Sequence, residues 1–249
     1  MKVSIITVTY NSGKYLEECI QSVIMQGYHD IEHIIVDGKS TDNTLDIIKK
    51  YQSHIAKTIS ETDRGIYDAI NKGMAMATGD IIGNLNSDDI LVDEDVIESI
   101  VKAFEEQQVD TVYGDLEYVA AADTNKIIRI WKGKSFKRSR FRYGWMPAHP
   151  TFYIKRSLIE KYGYYQNHYY TAADYEFMAR YLFKNRVSSY YLPKLIVKMR
   201  MGGQSNKNIH HRLRANRRDF LAMQKNNIPF AFFVSILKPL IKVNQFFKK

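Results

Sequence analysis

The sequence predicts an α/β fold: a mostly parallel central sheet flanked by helices, then a small mixed-sheet extension and a basic helical tail. Two patterns carry this prediction. Apolar runs of strand length alternate with apolar residues at helical spacing from the first residue onward, joined by short polar connections, as parallel strands with right-handed crossovers require. Three successive strand ends in the first half also carry acids, namely Asp37, Asp63 and the pair Asp88-Asp89.

Lys2 to Thr9 reads as the first strand, with Val3, Ile5, Ile6 and Val8 in it. Asn11-Ser12-Gly13 turns the chain, with Ser12 as helix cap, and Leu16, Cys19, Ile20, Val23 and Ile24 follow at helical spacing. Glu32 to Asp37 is the second strand, Gly38-Lys39-Ser40-Thr41 a turn, and Leu45, Ile48 and Tyr51 mark the next helix. A short strand within Ile55 to Ser60 leads to Glu61-Thr62-Asp63-Arg64-Gly65 and a helix carrying Ile66, Ile70 and Ala77. Ile81 to Leu85 has the continuous apolar character of a buried strand and runs directly into Asn86-Ser87-Asp88-Asp89. The helix with Ile97, Ile100, Val101 and Phe104 is favoured at its start by Asp93, Glu94 and Asp95.

From Asp110 the pattern changes. Strand-like segments at Thr111–Tyr113, Leu116–Val119 and Ile127–Trp131, with a turn at 122–125, predict a hairpin or mixed-sheet extension. Lys132, Lys134, Lys137, Arg138, Arg140 and Arg142 then alternate with Phe136 and Phe141, as a solvated loop or as an anionic acceptor surface. Trp145 to Pro150 is a compact turn holding His149, Thr151 to Lys155 a strand, and Ser157 the cap of a short helix. Asp174 falls in the first turn of a helix with Phe177, Met178, Tyr181 and Leu182, where an acid serves as a cap or as a functional group. Ser189–Leu192 and Leu195–Met199 end the compact part, and Gly202-Gly203-Gln204-Ser205 suits a lid. The expected division is a domain over 1–200, in halves 1–109 and 110–200, followed by a helical tail over 201–249.

With 249 residues, 45% of them apolar, the chain builds one sizeable core. A single cysteine, Cys19, excludes an intramolecular disulfide and fits a reducing compartment. The segment Met1-Lys2-Val3-Ser4 has no signal-peptide pattern and no uncharged apolar run reaches spanning length, so a cytoplasmic location is expected. From Arg200 onward there are eleven Lys or Arg and one acid, Asp219, against a total net charge of +9, so the body is near neutral. That imbalance, with no recognisable nucleic-acid motif, argues against nucleic acid as a partner. Within 229–249, Phe230, Phe232, Phe233, Ile236 and Leu237 accompany Lys238, Lys242 and Lys249, as in a helix lying on an anionic membrane surface. Packing onto the body, or onto a second subunit in a homodimer, is the alternative.

Two adjacent carboxylates beyond the carboxyl end of a buried strand stand where open α/β sheets bind ligands. Like charges there are costly unless a cation or ordered donors offset them. Asp88 and Asp89 therefore suggest a divalent metal holding phosphates, with a plain polar turn as the alternative. If the strands are parallel neighbours, Asp37 and Asp63 line the same crevice.

Four ordered segments carry a resemblance: 3–11 (VSIITVTYN), 37–44 (DGKSTDNT), 61–73 (ETDRGIYDAINKG) and 85–89 (LNSDD). Together they resemble the motifs of family 2 glycosyltransferases, closely over the first 90 residues or so and loosely to about residue 200. The resemblance implies the GT-A fold, Rossmann-like in its sheet, and a nucleotide-activated sugar donor. It implies that Asp37 contacts base or ribose, that Thr7, Tyr10 and Asn11 wall the nucleotide pocket, and that Asp63 holds the uracil. Asn86-Ser87-Asp88 occupies the place of the metal-binding Asp-X-Asp signature, with asparagine for its first acid. Asp88 is then assigned to ribose and metal and Asp89 to metal, with direct ligation open between the two. Asp174 matches the second acid of a Glu-Asp pair, the general base of inverting members, although Ala173 replaces the first. His149 falls beside the acceptor and diphosphate region, as a substrate contact or a structural histidine. Arg64 reaches phosphate or pairs with Asp68, and Trp145 is a platform for a sugar ring.

The implied activity is metal-dependent inverting transfer, with Mn2+ or Mg2+, from a UDP-sugar to a saccharide or polyprenyl-diphosphate-linked acceptor. The setting would be synthesis of a bacterial surface polysaccharide such as capsule or lipopolysaccharide, peripheral on the inner face of the cell membrane. Inversion needs a base opposite the departing diphosphate and something to offset the charge developing there. Two alternatives stay open. A sugar nucleotidyltransferase shares the sheet and metal carboxylates, but Thr9 to Lys14 lacks a dense Gly- and Arg-rich phosphate loop. A non-catalytic nucleotide-sugar or glycan binder of the same fold would bind without turnover.

Overall fold

Every residue of β1 (Val3–Thr9) is buried, which a strand allows only when both faces of its sheet are covered. The computed structural model describes residues 1–202, 209–232 and 234. β1 lies between β2 (Ile31–Asp37) and β4 (Ile81–Asn84), and β2 pairs with β3 (Lys57–Ser60), all in parallel. These strands are linked by α1 (Leu16–Ile24), α2 (Thr44–Lys50) and α3 (Ile66–Met76). Successive side chains of β1 point to opposite faces. Ile6 and Val8 join Ile70 and Met74 of α3 on one side; Val3 and Ile5 join Cys19, Val23 and α4 (Val96–Gln107) on the other.

The sheet continues beyond β4 as a mixed extension. β8 (Tyr153–Lys155) runs antiparallel to β4 and to the start of β6 (Thr111–Ala120). β6 pairs antiparallel with β7 (Asp123–Trp131) and parallel with β9 (Ser189–Arg200). The two strands expected at 111–113 and 116–119 are thus one strand passing through Gly114. A Cβ there would stand 2.5 Å from Ile196 Cδ1 and 2.7 Å from the Lys194 carbonyl, so glycine permits the close approach of β9. The segments at 189–192 and 195–199 are likewise one strand. Pro193 falls where the β6–β9 register shifts, and no ladder bond is asked of its missing N–H. β5 (Ile90–Leu91), too short to leave a periodic signature, pairs antiparallel with β9.

Ser12 does not cap α1 with its side chain; the Tyr15 and Leu16 amides donate to the Ser12 carbonyl, each at 3.0 Å. α5 (Arg156–Tyr162) follows β8, and α6 (Ala173–Met178) continues into a π turn over Ala179–Lys184. α7 (Ile209–Lys225) packs back on the body: Ala222 and Met223 are buried, and Arg218 lies 4.2 Å over the Tyr170 ring. Among the described residues no helix is long and apolar enough to cross a membrane. The lid expected at Gly203-Gln204-Ser205, and all of 229–249 except 229–232 and 234, lie outside the described residues.

Candidate active site

The parallel strands end along one sheet edge, with Thr9 beside Asp37, Asp37 beside Ser60 and Ile6 beside Asn84. Asp63 and the Asn86–Asp89 turn follow directly. On the β2 side, a Cβ on Gly38 would stand 2.6 Å from Asp63 Oδ2 and 3.4 Å from the Tyr10 ring. Bare backbone at Gly38 thus leaves room beside it for the Asp63 carboxylate and for Tyr10, which is 60% exposed. Asn11, at φ 48, ties the two turns together: its amide oxygen accepts from the Thr41 N–H at 2.8 Å and its own N–H donates to Ser40 Oγ at 2.8 Å.

Two residues expected on that wall lie inside it. Thr7 is fully buried, its hydroxyl 2.9 Å from His33 Nε2, because it shares the face of β1 that carries Val3 and Ile5. Asp37 is also fully buried and accepts from the Ser40 N–H at 3.1 Å and from the Ser40 and Ser60 hydroxyls. It braces the β2 and β3 ends from within instead of lying open on the crevice. Arg64 is exposed and faces Asp68 at 3.7 Å, while its N–H donates to Asp68 Oδ2 at 3.1 Å. Of its two expected partners, Asp68 is the one it faces here.

The Asn86–Asp89 turn lies on the α1 side of the edge. The Asp89 N–H closes it on the Asn86 carbonyl at 3.0 Å, and the Asn86 amide donates to Asp89 Oδ2 at 2.9 Å. Ser87 Oγ meets Ser12 Oγ at 2.8 Å. Asp89 is fully buried, its other oxygen accepting from the Arg200 N–H at 3.3 Å, whereas Asp88 is partly exposed. An ion entering from the crevice meets the more exposed Asp88 first; Asp89, expected as a direct ligand, lies behind it with one oxygen on the Asn86 amide and the other on the Arg200 N–H. Burial pushes the Asp88 carboxyl up, against the pull of Arg200. Burial, then the Asp88 charge, pushes Asp89 well above the carboxylate range.

Two desolvated, adjacent carboxylates fit a cation, which would relieve both penalties. Among the described residues no cluster of three or more His, Cys, Asp or Glu is placed to hold a metal. Asp88 would therefore share it with diphosphate oxygens and water, the usual arrangement for Mg2+ at a phosphate site.

Asp174 stands on the α3 side of the same edge. Its Oδ1 accepts from the Tyr175 N–H at 2.6 Å and its Oδ2 lies 3.6 Å from His149 Nδ1. Tyr67 and Tyr165, whose rings are 5.2 Å apart, are pushed up by burial first and then by the Asp174 charge. The half-buried Tyr118 phenol is raised by desolvation, against the pull of Arg129, with smaller contributions from Asp89 and Asp174.

Trp145 packs edge-on against Tyr113 and Phe141, each ring 6.1 Å away, with Arg140 5.6 Å over its own ring. In the basic loop, Arg138 is pinned to the body, donating to the Phe183 carbonyl at 2.6 Å. Sequence reasoning missed Arg200, which donates from Nη1 to the Asp88 carbonyl at 2.8 Å and from Nη2 to Glu18. No local signal announces a partner 112 positions away.

Residues 4–163 match the profile described as Glycosyl transferase family 2. The PGL/p-HBAD biosynthesis glycosyltransferase of Mycobacterium bovis is 32% identical over 209 residues, covering 82% of this chain and 78% of that protein. Glycosyltransferase GlyG of Streptococcus pneumoniae is 34% identical over 126 residues, 49% of this chain and 42% of its own. Among solved structures, S. aureus TarS 1-349 in complex with UDP-GlcNAc superposes with a TM-score of 0.67 at 20% identity, over 93% of this chain and 73% of that one. This chain spans 44% of the longer TarS chain. The mannosyltransferase PcManGT of Pyrobaculum calidifontis, in complex with GDP-Man and Mn2+, gives 0.66 at 18% identity, over 95% and 69%. These neighbours share the GT-A fold with this chain. The chain belongs to glycosyl transferase family 2, and it is a glycosyltransferase.

Proposed function

We propose that the enzyme is a metal-dependent inverting glycosyltransferase using a UDP-sugar. The observation that supports this reading is the Asn86–Asp89 turn following directly on β4 at the carboxyl edge of the parallel strands, with its hydrogen-bonded, desolvated acids; Asp174 beside His149 supplies a second acid. The Tyr10 ring and the Asp63 carboxylate, each set against Gly38, receive the base, while Asn11 and Asp37 hold the loops that carry them. Asp88 anchors Mn2+ or Mg2+, which when bound offsets charge on the diphosphate. Asp89 and Asn86 keep that turn closed. Asp174 takes the acceptor hydroxyl proton as the new bond forms. His149 flanks it and serves as a contact for acceptor or diphosphate.

The acceptor is a saccharide or a polyprenyl-diphosphate-linked saccharide in surface polysaccharide synthesis, held at the inner face of the membrane. The strongly basic C-terminal region and the exposed Phe230 and Phe232 support work beside anionic lipid. The neighbours bound to UDP-GlcNAc, and to GDP-Man with Mn2+, support a nucleotide-sugar donor and a metal. Calorimetry of UDP, GDP and TDP with Mn2+ and then with EDTA tests donor and metal. The anomeric configuration of the product, read by NMR, tests inversion. No metal-dependent binding of any nucleotide in folded protein would sink the reading.

A further inference from the structure

We propose that Arg200 is a positioning residue: its buried guanidinium sets where the Asp88 carboxylate stands, and so governs affinity for cation and nucleotide without touching either. The inference rests on the reading that the Asn86–Asp89 turn holds the metal and diphosphate.

Arg200 ends β9 and is 4% exposed. It grips the turn twice. Its backbone N–H donates to Asp89 Oδ1 at 3.3 Å, and its side-chain Nη1 donates to the Asp88 carbonyl at 2.8 Å. Nη2 reaches the other way, to Glu18 on α1, and the guanidinium plane lies 4.8 Å over the Tyr15 ring. The peptide that carries Asp88 is thereby tied to β9 and α1 at once. A planar fork with donors in fixed directions can do this; an ammonium of the same charge has no such geometry. Burying the cation is tolerable because Glu18, Asp88 and Asp89 surround it. The N–H that bonds Asp89 belongs to the main chain, so Arg200→Met and Arg200→Lys keep that donor and alter the side chain alone.

Charge and geometry predict opposite signs here. If Arg200 were only a counter-ion, removing it would take one positive charge from beside the site and a divalent cation would bind tighter. If it positions Asp88, removal weakens cation binding despite the gain in negative charge. Partners that orient a metal ligand typically alter affinity about 10- to 100-fold.

The experiment compares Arg200→Met, Arg200→Lys and Glu18→Gln with the parent chain. Mn2+ binding in the presence of UDP is followed by electron paramagnetic resonance and calorimetry. Hydrogen exchange of the peptide covering 85–91 is followed without any ligand. Expected for Arg200→Met is Mn2+–UDP affinity weaker by that factor and faster exchange across 86–89. Arg200→Lys restores little of either, and Glu18→Gln falls between. Unchanged or tighter Mn2+–UDP binding in Arg200→Met overturns the proposal. Should Arg200→Met fail to fold, Arg200→Lys and Glu18→Gln decide: parent-like affinity and exchange in both overturn it. Should the parent chain itself bind no nucleotide with metal, the glycosyl-transfer reading fails separately. Exchange at 86–89 then judges the clamp alone: faster in the variants supports it, unchanged ends it.

Discussion

Asp174 Oδ2 and His149 Nδ1 stand 3.6 Å apart, although they come from the first turn of α6 and from the 3-10 turn His149–Thr151. Two residues that the sequence offers separately thus meet at one point of the crevice. If Asp174 is the base, Asp174→Asn keeps metal-dependent UDP binding and loses transfer by roughly 100-fold to 10,000-fold, the range general bases supply. Calorimetry beside a turnover assay measures both. Retained transfer would remove Asp174 from the mechanism.

The same distance makes a second prediction about His149. If it acts through Asp174, the double variant Asp174→Asn with His149→Ala is no slower than Asp174→Asn alone, since groups acting as a unit are non-additive. If His149 instead contacts diphosphate or acceptor, the two losses multiply. Rates of the four members of the cycle decide.

Asp88 and Asp89 are adjacent in sequence and different in surroundings, so their amide variants should separate. Asp89→Asn places an NH2 group against either the Asn86 amide or the Arg200 N–H, both donors. A buried mismatch of that kind costs about 1–3 kcal/mol, read as a lower unfolding midpoint. Asp88→Asn, on the more open side, leaves the midpoint near that of the parent and abolishes metal-dependent nucleotide binding. Equal melting of the two variants would show that burial does not divide their roles.

Which parts of this arrangement were legible follows from the physics of each element. β1, β2 and β4 announce themselves because parallel strands covered on both faces are continuous apolar runs. α4 does so through Ile97, Ile100, Val101 and Phe104, all buried as their spacing implies. The acids at the strand ends were legible as positions but not as orientations. Asp37 and Asp89 turn inward because neighbouring side chains and N–H groups are there to satisfy them, and those partners lie in other segments. Thr7 did carry a signal: it is two positions from Ile5, so the strand period places it on the buried face. Arg200 carried none, since the partners of a strand's last residue depend on which strands become neighbours.

Gly38 makes the nucleotide wall testable without touching a charged group. A methyl there must displace the Asp63 carboxylate, 2.6 Å from where the Cβ would stand, or the Tyr10 ring at 3.4 Å. Such crowding typically costs about 1–3 kcal/mol, and 1.4 kcal/mol is a factor of ten in affinity. Gly38→Ala should therefore weaken UDP binding roughly tenfold while Mn2+ still binds. Parent-like UDP affinity would mean that the base does not rest between Tyr10 and Asp63.

His33 supplies a prediction about stability. Its ring is 1% exposed on β2, with Nε2 2.9 Å from the Thr7 hydroxyl, and burial depresses its pKa from 6.5 to about 4. Below pH 6.5 the unfolded chain takes up a proton that the folded chain refuses until about pH 4. Stability contributed by neutral His33 is therefore present above pH 6.5 and drains away as the pH falls toward 4. At about 1.4 kcal/mol per unit, the full loss is on the order of 3 kcal/mol. Two nearby effects differ in position or sign. Burial alone would raise the neighbouring Glu32, but bonds from Ser4, Thr78 and Lys57 hold it far below its ordinary 4.5, so its contribution is lost only at lower pH. The raised Asp88 and Asp89 carboxyls work the other way, gaining stability on protonation. Comparing the parent with His33→Gln cancels both, because neither is altered by the substitution. Urea midpoints from pH 7 to 4 should fall more steeply in the parent, and the two curves should converge toward pH 4. Parallel curves would mean that His33 is protonated as readily in the fold as outside it.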